Sequence, residues 1–321
     1  MEIALQNKAC LVTGGTGLVG SHVVERLLGL NAQVFVVDLQ VLSKSYFDLK
    51  KFSDKCPVFI QDVRDAVKIK EIVDQNRIEY IFHLAAQPIV GEAFLHPMLT
   101  LDTNIMGTVS VLEAAKENKN IKAVVVASSD KAYGKHSYNV TEDQPLSGDH
   151  PYDVSKSAAD LISMAYFHTY NLPVTVSRFG NIFGPGDLNF SRIVPGVMDS
   201  IINNKNLEIR SDGTFVRDYV YVKDVADGYV VLAEQIGKTA GQAFNFSSGH
   251  NLSVLKIIED IEKVIGKKLK YRVVNSQQNE IPRQSLNYEK VRKTLDWKPK
   301  FTFEQGIKET FEWYKSFFKQ A

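Results

Sequence analysis

The chain has 321 residues, of which 44% are hydrophobic and 23% charged, and its formal net charge is +1. This composition excludes a disordered chain and is typical of a globular enzyme with room for two domains. The near-neutral charge predicts no nucleic-acid partner, and no apolar run approaches the length of a membrane span. The two cysteines, Cys10 and Cys56, lack metal-ligand spacing and are expected to be reduced and buried, which favours a soluble, cytoplasmic protein without a metal site.

The first predicted element is an apolar run at residues 9–12 that ends in three spaced glycines, Gly14, Gly17 and Gly20. Apolar-periodic residues 18–30 follow at once, so the pattern predicts a strand, a tight turn and a helix. Such glycines allow close approach to a pyrophosphate, to which the helix N-terminus offers free N–H donors. The turn therefore predicts a dinucleotide site. Its cofactor-binding residues are predicted to be Gly14, Thr16, Gly17, Leu18 and Val19.

The second predicted strand, residues 33–38, ends in Asp38. A carboxylate there can accept hydrogen bonds from both adenosine ribose hydroxyl groups and would repel a 2′-phosphate. Asp38 therefore favours NAD over NADP, although an acid that merely ends a strand is the alternative.

Strand and helix patterns continue to alternate through the first half of the chain. Further strands are predicted at 57–61, 79–83, 121–128 and 173–178, and helices at 66–76, 97–118 and 152–171. Such alternation predicts an α/β fold with a doubly wound parallel sheet, in which ligands lie beyond the carboxyl ends of the strands.

Two of these strand ends carry candidate cofactor contacts. After the third strand, Asp62 is placed either to hydrogen-bond an adenine amino group or to cap the next helix, with Val63 beside it. After the fourth strand, the small residues near Leu84, Ala85 and Ala86 allow either close approach of the cofactor or tight packing.

Polar side chains that packing does not explain follow the fifth strand, at Ser129, Asp130 and Lys131. Tyr152 and Lys156 then lie four residues apart on a predicted helix, so they share a face and the ammonium can lie beside the phenol. Alone, such a pair is typical of a solvated helix face. Together with the dinucleotide turn and the serine, it indicates a catalytic site.

Taken together, these motifs resemble the extended short-chain dehydrogenases/reductases, the group of NAD-dependent nucleotide-sugar epimerases and dehydratases. The matching pieces are residues 13–20, Asp38, residues 83–86, 104–108, Ser129, Tyr152 with Lys156, residues 178–181 and 217–222. Residues 85–90, 103–108 and 129–131 are most similar to CDP-glucose 4,6-dehydratases, whereas residues 217–222 are closer to the dTDP- and UDP-sugar enzymes.

The resemblance implies a Rossmann-type NAD-binding domain with the catalytic residues at 1–183. A smaller C-terminal α/β domain at 184–321 would mainly bind the nucleotide sugar, and the resemblance allows the chain to cross between the two domains. Helices near 192–203, 223–236, 253–264 and 303–318 and a strand at 243–246 are predicted there. The family also implies a homodimer formed by helices 97–118 and 152–171. Their apolar residues, which alternatively face the sheet, are Leu101, Ile105, Leu161, Ile162 and Ala165.

The family's ligand contacts map onto further residues of this sequence. Cofactor contacts are implied for Leu84, Ala85, Ala86, Asn104, Tyr152 and Lys156. Substrate contacts are implied for Gln87, Ser129, Asn181, Arg192, Arg217 and Arg283. A guanidinium fork suits the oxygens of a diphosphate, although Arg192 is alternatively a surface charge.

The predicted function is that of an NAD-dependent nucleotide-sugar 4,6-dehydratase. Tyr152 as a phenolate takes the carbon-4 hydroxyl proton, with Ser129 sharing the hydrogen bond and Lys156 favouring the phenolate. Asp130 then protonates the leaving carbon-6 hydroxyl. Lys131 either exchanges a proton with Asp130 and acts as the carbon-5 base, or stays charged and stabilises the enolate. The tightly bound NAD would be recycled in each turnover.

Two alternative functions remain open. A 4-epimerase would need no acid–base pair at residues 130 and 131, because it lets the keto sugar rotate and returns the hydride to the other face. A non-catalytic NAD-binding protein on the same fold would show no turnover.

Overall fold

The structure, a computed structural model, describes residues 5–135, 138–276 and 281–319. The strands are β1 Ala9–Thr13, β2 Gln33–Asp38, β3 Val58–Ile60, β4 Tyr80–His83, β5 Ala123–Ala127, β6 Val174–Phe179, β7 Asn181–Phe183, β8 Leu207–Ile209, β9 Val216–Tyr221, β10 Ala243–Phe246, β11 Asn251–Ser253 and β12 Tyr271–Val273. The helices are α1 Leu18–Gly29, α2 Tyr46–Leu49, α3 Ala66–Gln75, α4 Val90–Leu95, α5 Pro97–Leu101, α6 Gly107–Glu117, α7 Pro151–Tyr170, α8 Ile193–Asn203, α9 Val222–Glu234, α10 Ile236–Thr239, α11 Val254–Ile265, α12 Glu289–Leu295 and α13 Phe303–Lys319.

Seven strands form one parallel sheet in the order β10-β6-β5-β4-β1-β2-β3. Its central strands are apolar on both faces, and every residue of β1 and β6 is buried. Helices cover the two faces through two separate hydrophobic clusters. The predicted Rossmann-type α/β fold is confirmed, because strands buried on both faces need helices on both sides.

The register of this sheet places the predicted cofactor residues side by side. Thr13 at the end of β1 pairs with Val37 of β2 on one side and with His83 of β4 on the other. The chain segments that follow β1, β2 and β4 therefore leave the sheet at the same edge. At β1 the strand order reverses, because β2 and β3 lie on one side of it and β4, β5 and β6 on the other. Open sheets bind ligands at such a point.

A second core lies in the C-terminal half of the chain. Strands β7, β9 and β11 form a three-stranded sheet and β8 pairs with β12, with α8, α11 and α13 contributing to the same cluster. The chain also returns to the main sheet after residue 184, because β10 pairs with β6. Helix α9 packs on α1, where Arg26 Nε lies 2.6 Å from Asp227 Oδ1.

Some elements differ from the predicted ones. The helix predicted at 97–118 is interrupted by a π-helical turn, Asp102–Met106, that joins α5 to α6. Short elements such as α2, α4 and β7 were not predicted, because three to six residues are too few to show a period. Cys10 and Cys56 are free and buried, and burial raises the pKa of the Cys56 thiol to about 11. Among the described helices, none has the length and apolar character of a membrane span.

Candidate active site

The glycine turn between β1 and α1 is too tightly packed for side chains. Gly14 has φ +69°, and a Cβ placed on it would lie 2.7 Å from the backbone nitrogen of Ala85. A Cβ on Gly20 would lie 2.0 Å from the carbonyl oxygen of Gly14. Helix α1 begins at Leu18 and no side chain caps it, so its first N–H groups lie beside a turn that is formed by backbone alone. We call this turn, residues 14–17, the backbone cradle. Such a cradle fits the pyrophosphate of a dinucleotide.

Asp38 is held across this turn by Thr16. Its Oδ2 accepts hydrogen bonds from the backbone N–H of Thr16 at 3.0 Å and from Thr16 Oγ1 at 2.7 Å, and its Oδ1 accepts one from Leu39 N at 2.8 Å. A carboxylate has about four acceptor positions, so these three hydrogen bonds leave one for a ribose hydroxyl. A second position becomes available when Thr16 Oγ1 donates to the carbonyl oxygen of Gln40, which lies 2.9 Å away.

Asp62, after β3, was predicted either to contact an adenine or to cap the next helix, and it does not form the cap. Asp62 forms an ion pair with Arg64, 2.6 Å from Nη2 to Oδ2, which holds the pKa of its carboxyl below the usual range. The helix that follows, α3, is capped by Asp65, whose side chain accepts a hydrogen bond from Lys68 N at 3.1 Å. The capping alternative for Asp62 is therefore wrong. Val63 is buried beside Gly107.

The residues after β4 are joined to the π-helical turn. Leu84 and Ala85 donate backbone hydrogen bonds to the carbonyl and the hydroxyl of Thr13, respectively. Asn104 Oδ1 accepts a hydrogen bond from Gln87 N at 2.7 Å, and Asn104 Nδ2 donates to Ser155 Oγ at 2.8 Å. Buried Asn104 thus connects the end of β4 to α7. Such π-turns are frequent at functional sites.

The predicted tyrosine and lysine lie in the first turns of α7. Burial raises the pKa of Tyr152 to about 12, and a hydrogen bond with Ser129 opposes this shift. Lys156 Nζ donates to the carbonyl oxygen of Ala127 at 2.8 Å, and burial lowers the pKa of its ammonium to about 8. The structure therefore brings Ser129, Tyr152 and Lys156 together at the carboxyl end of β5.

A buried acidic cluster adjoins these residues. Ser129 Oγ donates to Asp130 Oδ1 at 3.0 Å, and Asp130 Oδ2 has no partner among the described residues. Burial raises the pKa of Asp130, while the charges of Lys131 and Arg217 lower it. Asp218 is fully buried, and burial together with the charge of Asp130 raises its pKa to about 7.

Three residues of this cluster were missed by sequence reasoning. Lys131 Nζ donates a hydrogen bond to Oε1 of Gln284, and the charges of Lys131 and Asp130 act on buried Asp153, whose pKa burial raises to about 6. Asp153, Asp218 and Gln284 each follow a predicted residue by one position. That proximity was the only signal in the sequence, because which neighbour faces the site depends on the fold.

The predicted substrate residues are distributed around the cluster. Arg192 is tied to Asp187, 2.8 Å from Nη1 to Oδ2, and its charge still acts on Tyr152. Arg217 is 9% exposed, whereas exposed Arg283 lies over the Tyr138 ring.

Two further predicted substrate residues are held by other elements of the fold. Asn181 begins β7 and pairs with Tyr219 of β9. The side-chain Nε2 of Gln87 donates to Thr100 Oγ1 at 2.7 Å.

Comparison with known proteins assigns the chain to a family. The profile of the family "GDP-mannose 4,6 dehydratase" matches residues 11–310. The chain belongs to this family. The resemblance to the extended short-chain dehydrogenases/reductases that act on nucleotide sugars is thereby confirmed.

Relatives of this GDP-mannose 4,6 dehydratase family member include both dehydratases and epimerases at similar identity. The chain is 31% identical to a UDP-glucuronate 4-epimerase of Thermodesulfobacterium geofontis, covering 95% of each chain. It is 28% identical to a CDP-glucose 4,6-dehydratase of Salmonella typhimurium, covering 98% of this chain and 92% of the relative. The solved structure of a dTDP-glucose 4,6-dehydratase from Bacillus anthracis in complex with NAD has a TM-score of 0.85 and 29% identity, covering 96% of this chain and 97% of the other.

Proposed function

We propose that the protein is an NAD-dependent nucleotide-sugar 4,6-dehydratase, which converts a nucleoside-diphosphate hexose to the 4-keto-6-deoxy sugar and water. The observation that carries this proposal is the position of Asp130 and Lys131. Both lie beside the Ser129–Tyr152 pair, and the Asp130 carboxyl is buried with one unpaired oxygen. A redox site that only oxidises and reduces carbon 4 does not need this acid–base pair.

The cofactor of the proposed reaction is NAD. The bare backbone cradle at Gly14 and the carboxylate of Asp38 fit a dinucleotide with a free 2′-hydroxyl, and the similar Bacillus anthracis structure contains NAD. Bound NAD would supply a hydride acceptor at carbon 4 and, once reduced, a hydride donor at carbon 6. Because the hydride returns within one turnover, we expect the cofactor to be held tightly and recycled.

Tyr152 is proposed as the base at the carbon-4 hydroxyl. Its pKa of about 12 without ligands means that the phenol is protonated in the resting site. Desolvation of Lys156, whose ammonium is fixed on the Ala127 carbonyl, leaves a nearby positive charge that is poorly screened and favours the phenolate. The Ser129 hydroxyl is proposed to turn from Asp130 to the Tyr152 oxygen and to share the proton transfer.

Asp130 and Lys131 are proposed to catalyse the loss of water. Burial raises the pKa of Asp130, and its protonated form is proposed to protonate the carbon-6 hydroxyl as it leaves. The carbon-5 proton goes to the Lys131 amine, and the electron pair of that C–H bond forms the carbon-5 to carbon-6 double bond as the C–O bond breaks. We favour this base role over enolate stabilisation, because transfer of a proton from the Lys131 ammonium to buried Asp130 makes a base and an acid together. The neutral amide of Gln284 can hold Nζ in either charge state.

The nucleotide sugar is proposed to bind through its diphosphate. The pairing of Val216 with Arg283 brings Arg217 and Arg283 close together, and the charge of Arg192 acts on Tyr152. Asn181 and Gln87 are proposed to contact the same substrate.

Three further proposals concern the substrate, the location and the assembly of the protein. CDP-glucose is proposed as the first substrate to test. We also propose that the protein is cytoplasmic and that it forms a homodimer.

A 4-epimerase is the second candidate, favoured by the 31% identical UDP-glucuronate 4-epimerase. Incubation with CDP-, dTDP-, UDP- and GDP-sugars followed by mass spectrometry separates the two. Loss of one water supports the dehydratase, whereas an isomer of equal mass, formed also by Asp130→Asn, supports the epimerase. Unchanged substrate with every sugar would contradict both and favour a non-catalytic protein.

A further inference from the structure

The segment before α12 carries a glutamine into the active site. Backbone hydrogen bonds hold this segment on both sides: Gln284 N donates to Val216 O at 3.1 Å, and Val140 N donates to Ser285 O at 3.1 Å. The side chain of Gln284 is fully buried. Its position is therefore set by two neighbouring segments of chain and not by solvent, as is typical of preorganised sites.

Only one end of the Gln284 amide is paired. Its Oε1 accepts a hydrogen bond from Lys131 Nζ, while its Nε2 has no partner in the part of the chain that the structure describes. Nearby Asp130 and Asp218 each also bury one unpaired carboxylate oxygen. Unpaired buried polar atoms are unfavourable for folding, so their presence on Gln284, Asp130 and Asp218 indicates a role in the reaction.

We propose that Gln284 is a positioning residue that holds the Lys131 amine toward carbon 5 of the sugar. This inference rests on the proposed dehydratase function. An amide oxygen accepts a hydrogen bond from a lysine in either charge state, so it fixes the position of Nζ without holding the proton there. A carboxylate at the same place would add a fourth buried acid to Asp130, Asp153 and Asp218 and would favour the charged lysine.

The consequence is specific to one half of the reaction. Oxidation at carbon 4 uses Tyr152, Ser129 and Lys156, none of which forms a hydrogen bond with Gln284 within the described ranges of the chain. Removal of the carbon-5 proton uses Lys131. Loss of the Gln284 amide should therefore slow the elimination and leave the oxidation intact.

The test compares Gln284→Met, Gln284→Glu and the control Gln235→Met, on a sugar from which the wild-type enzyme removes water. Gln235 is a partly buried glutamine whose Nε2 donates to Leu295 O, next to α9 and away from the site. Three rates are measured: water loss by mass spectrometry, build-up of reduced-nicotinamide absorbance in a single turnover, and uptake of solvent deuterium at carbon 5.

In both Gln284 variants we expect water loss from the sugar and deuterium uptake at carbon 5 to be at least about tenfold slower than in wild type. The rate of oxidation should stay within about twofold of wild type, so that reduced cofactor accumulates. Gln235→Met should match wild type in all three rates. Equal slowing of oxidation and elimination, or unchanged water loss, would overturn the positioning role. If one Gln284 variant fails to fold, the other decides. A wild-type enzyme that removes water from no sugar defeats the proposed function itself.

Discussion

Replacement of Lys156 by methionine should change how the stability of the protein depends on pH. The Lys156 side chain is only 6% exposed, and its ammonium is satisfied by the carbonyl oxygen of Ala127. Burial disfavours the charged form and lowers its pKa from 10.5 to about 8. Lys156→Met removes this titration and leaves an apolar chain of similar length.

The sign and size of the effect follow from proton binding. Between about pH 8 and pH 10.5 the unfolded chain keeps the Lys156 proton and the folded protein releases it. The unfolded state binds more protons in this window, so the free energy of unfolding rises with pH. This gain in stability is lost again as pH falls toward 8. A pKa difference of about 2.5 corresponds to about 3 kcal/mol.

Urea unfolding followed by circular dichroism, without added NAD, measures this contribution at several pH values. The free energy of unfolding of wild type minus that of Lys156→Met should grow by about 3 kcal/mol from about pH 8 to about pH 10.5, because other titrating groups cancel in the difference. The control Lys267→Met removes an exposed ammonium and should give a constant difference. A constant difference for Lys156→Met as well would refute the argument that burial lowers its pKa.

Three further predictions concern the turn, the acidic cluster and the surface. Gly20→Ala should destabilise the fold by about 1–3 kcal/mol in thermal unfolding and weaken NAD binding in a titration, whereas Gly29→Ala, whose Cβ would meet nothing within 4 Å, should do neither; equal behaviour of the two would contradict the packing argument. Because the pKa of Asp218 is raised from 3.8 to about 7, the folded state binds one more proton at this residue than the unfolded state between about pH 3.8 and pH 7. The stability that this proton contributes is lost as pH rises through about 7. Asp218→Asn should therefore gain stability relative to wild type above that pH in chemical denaturation, and parallel pH profiles would count against it. Leu161 on α7 is 59% exposed, and Leu161→Glu should convert a dimer to a monomer in sedimentation velocity, while Val67→Glu on α3, also exposed, should not; a wild-type monomer would exclude the proposed interface.

The sequence was most informative where the signal is local. The glycine turn, Asp38 and the Tyr152–Lys156 pair each depend on spacings of a few residues, and the structure places them at one edge of a parallel sheet. Alternating patterns also predicted that sheet, because strands buried on both faces have a distinctive composition. The cap of α3 is a counterexample: the helix was correctly predicted to begin at residue 66, but the cap is Asp65, directly before it, and not Asp62.

By itself, the sequence determined the fold class, the glycine turn of a dinucleotide-binding fold and the proposed catalytic tyrosine and lysine, since these follow from chain spacing and side-chain chemistry. Only the tertiary structure decided that Gln284 contacts Lys131, that Asp218 lies near Asp130, and that β10 completes the main sheet after the chain has built a second core. The physical reason is that Lys131 and Gln284 are 153 positions apart. No local pattern encodes such a contact, because it depends on how β9 and the segment before α12 pair in the folded protein.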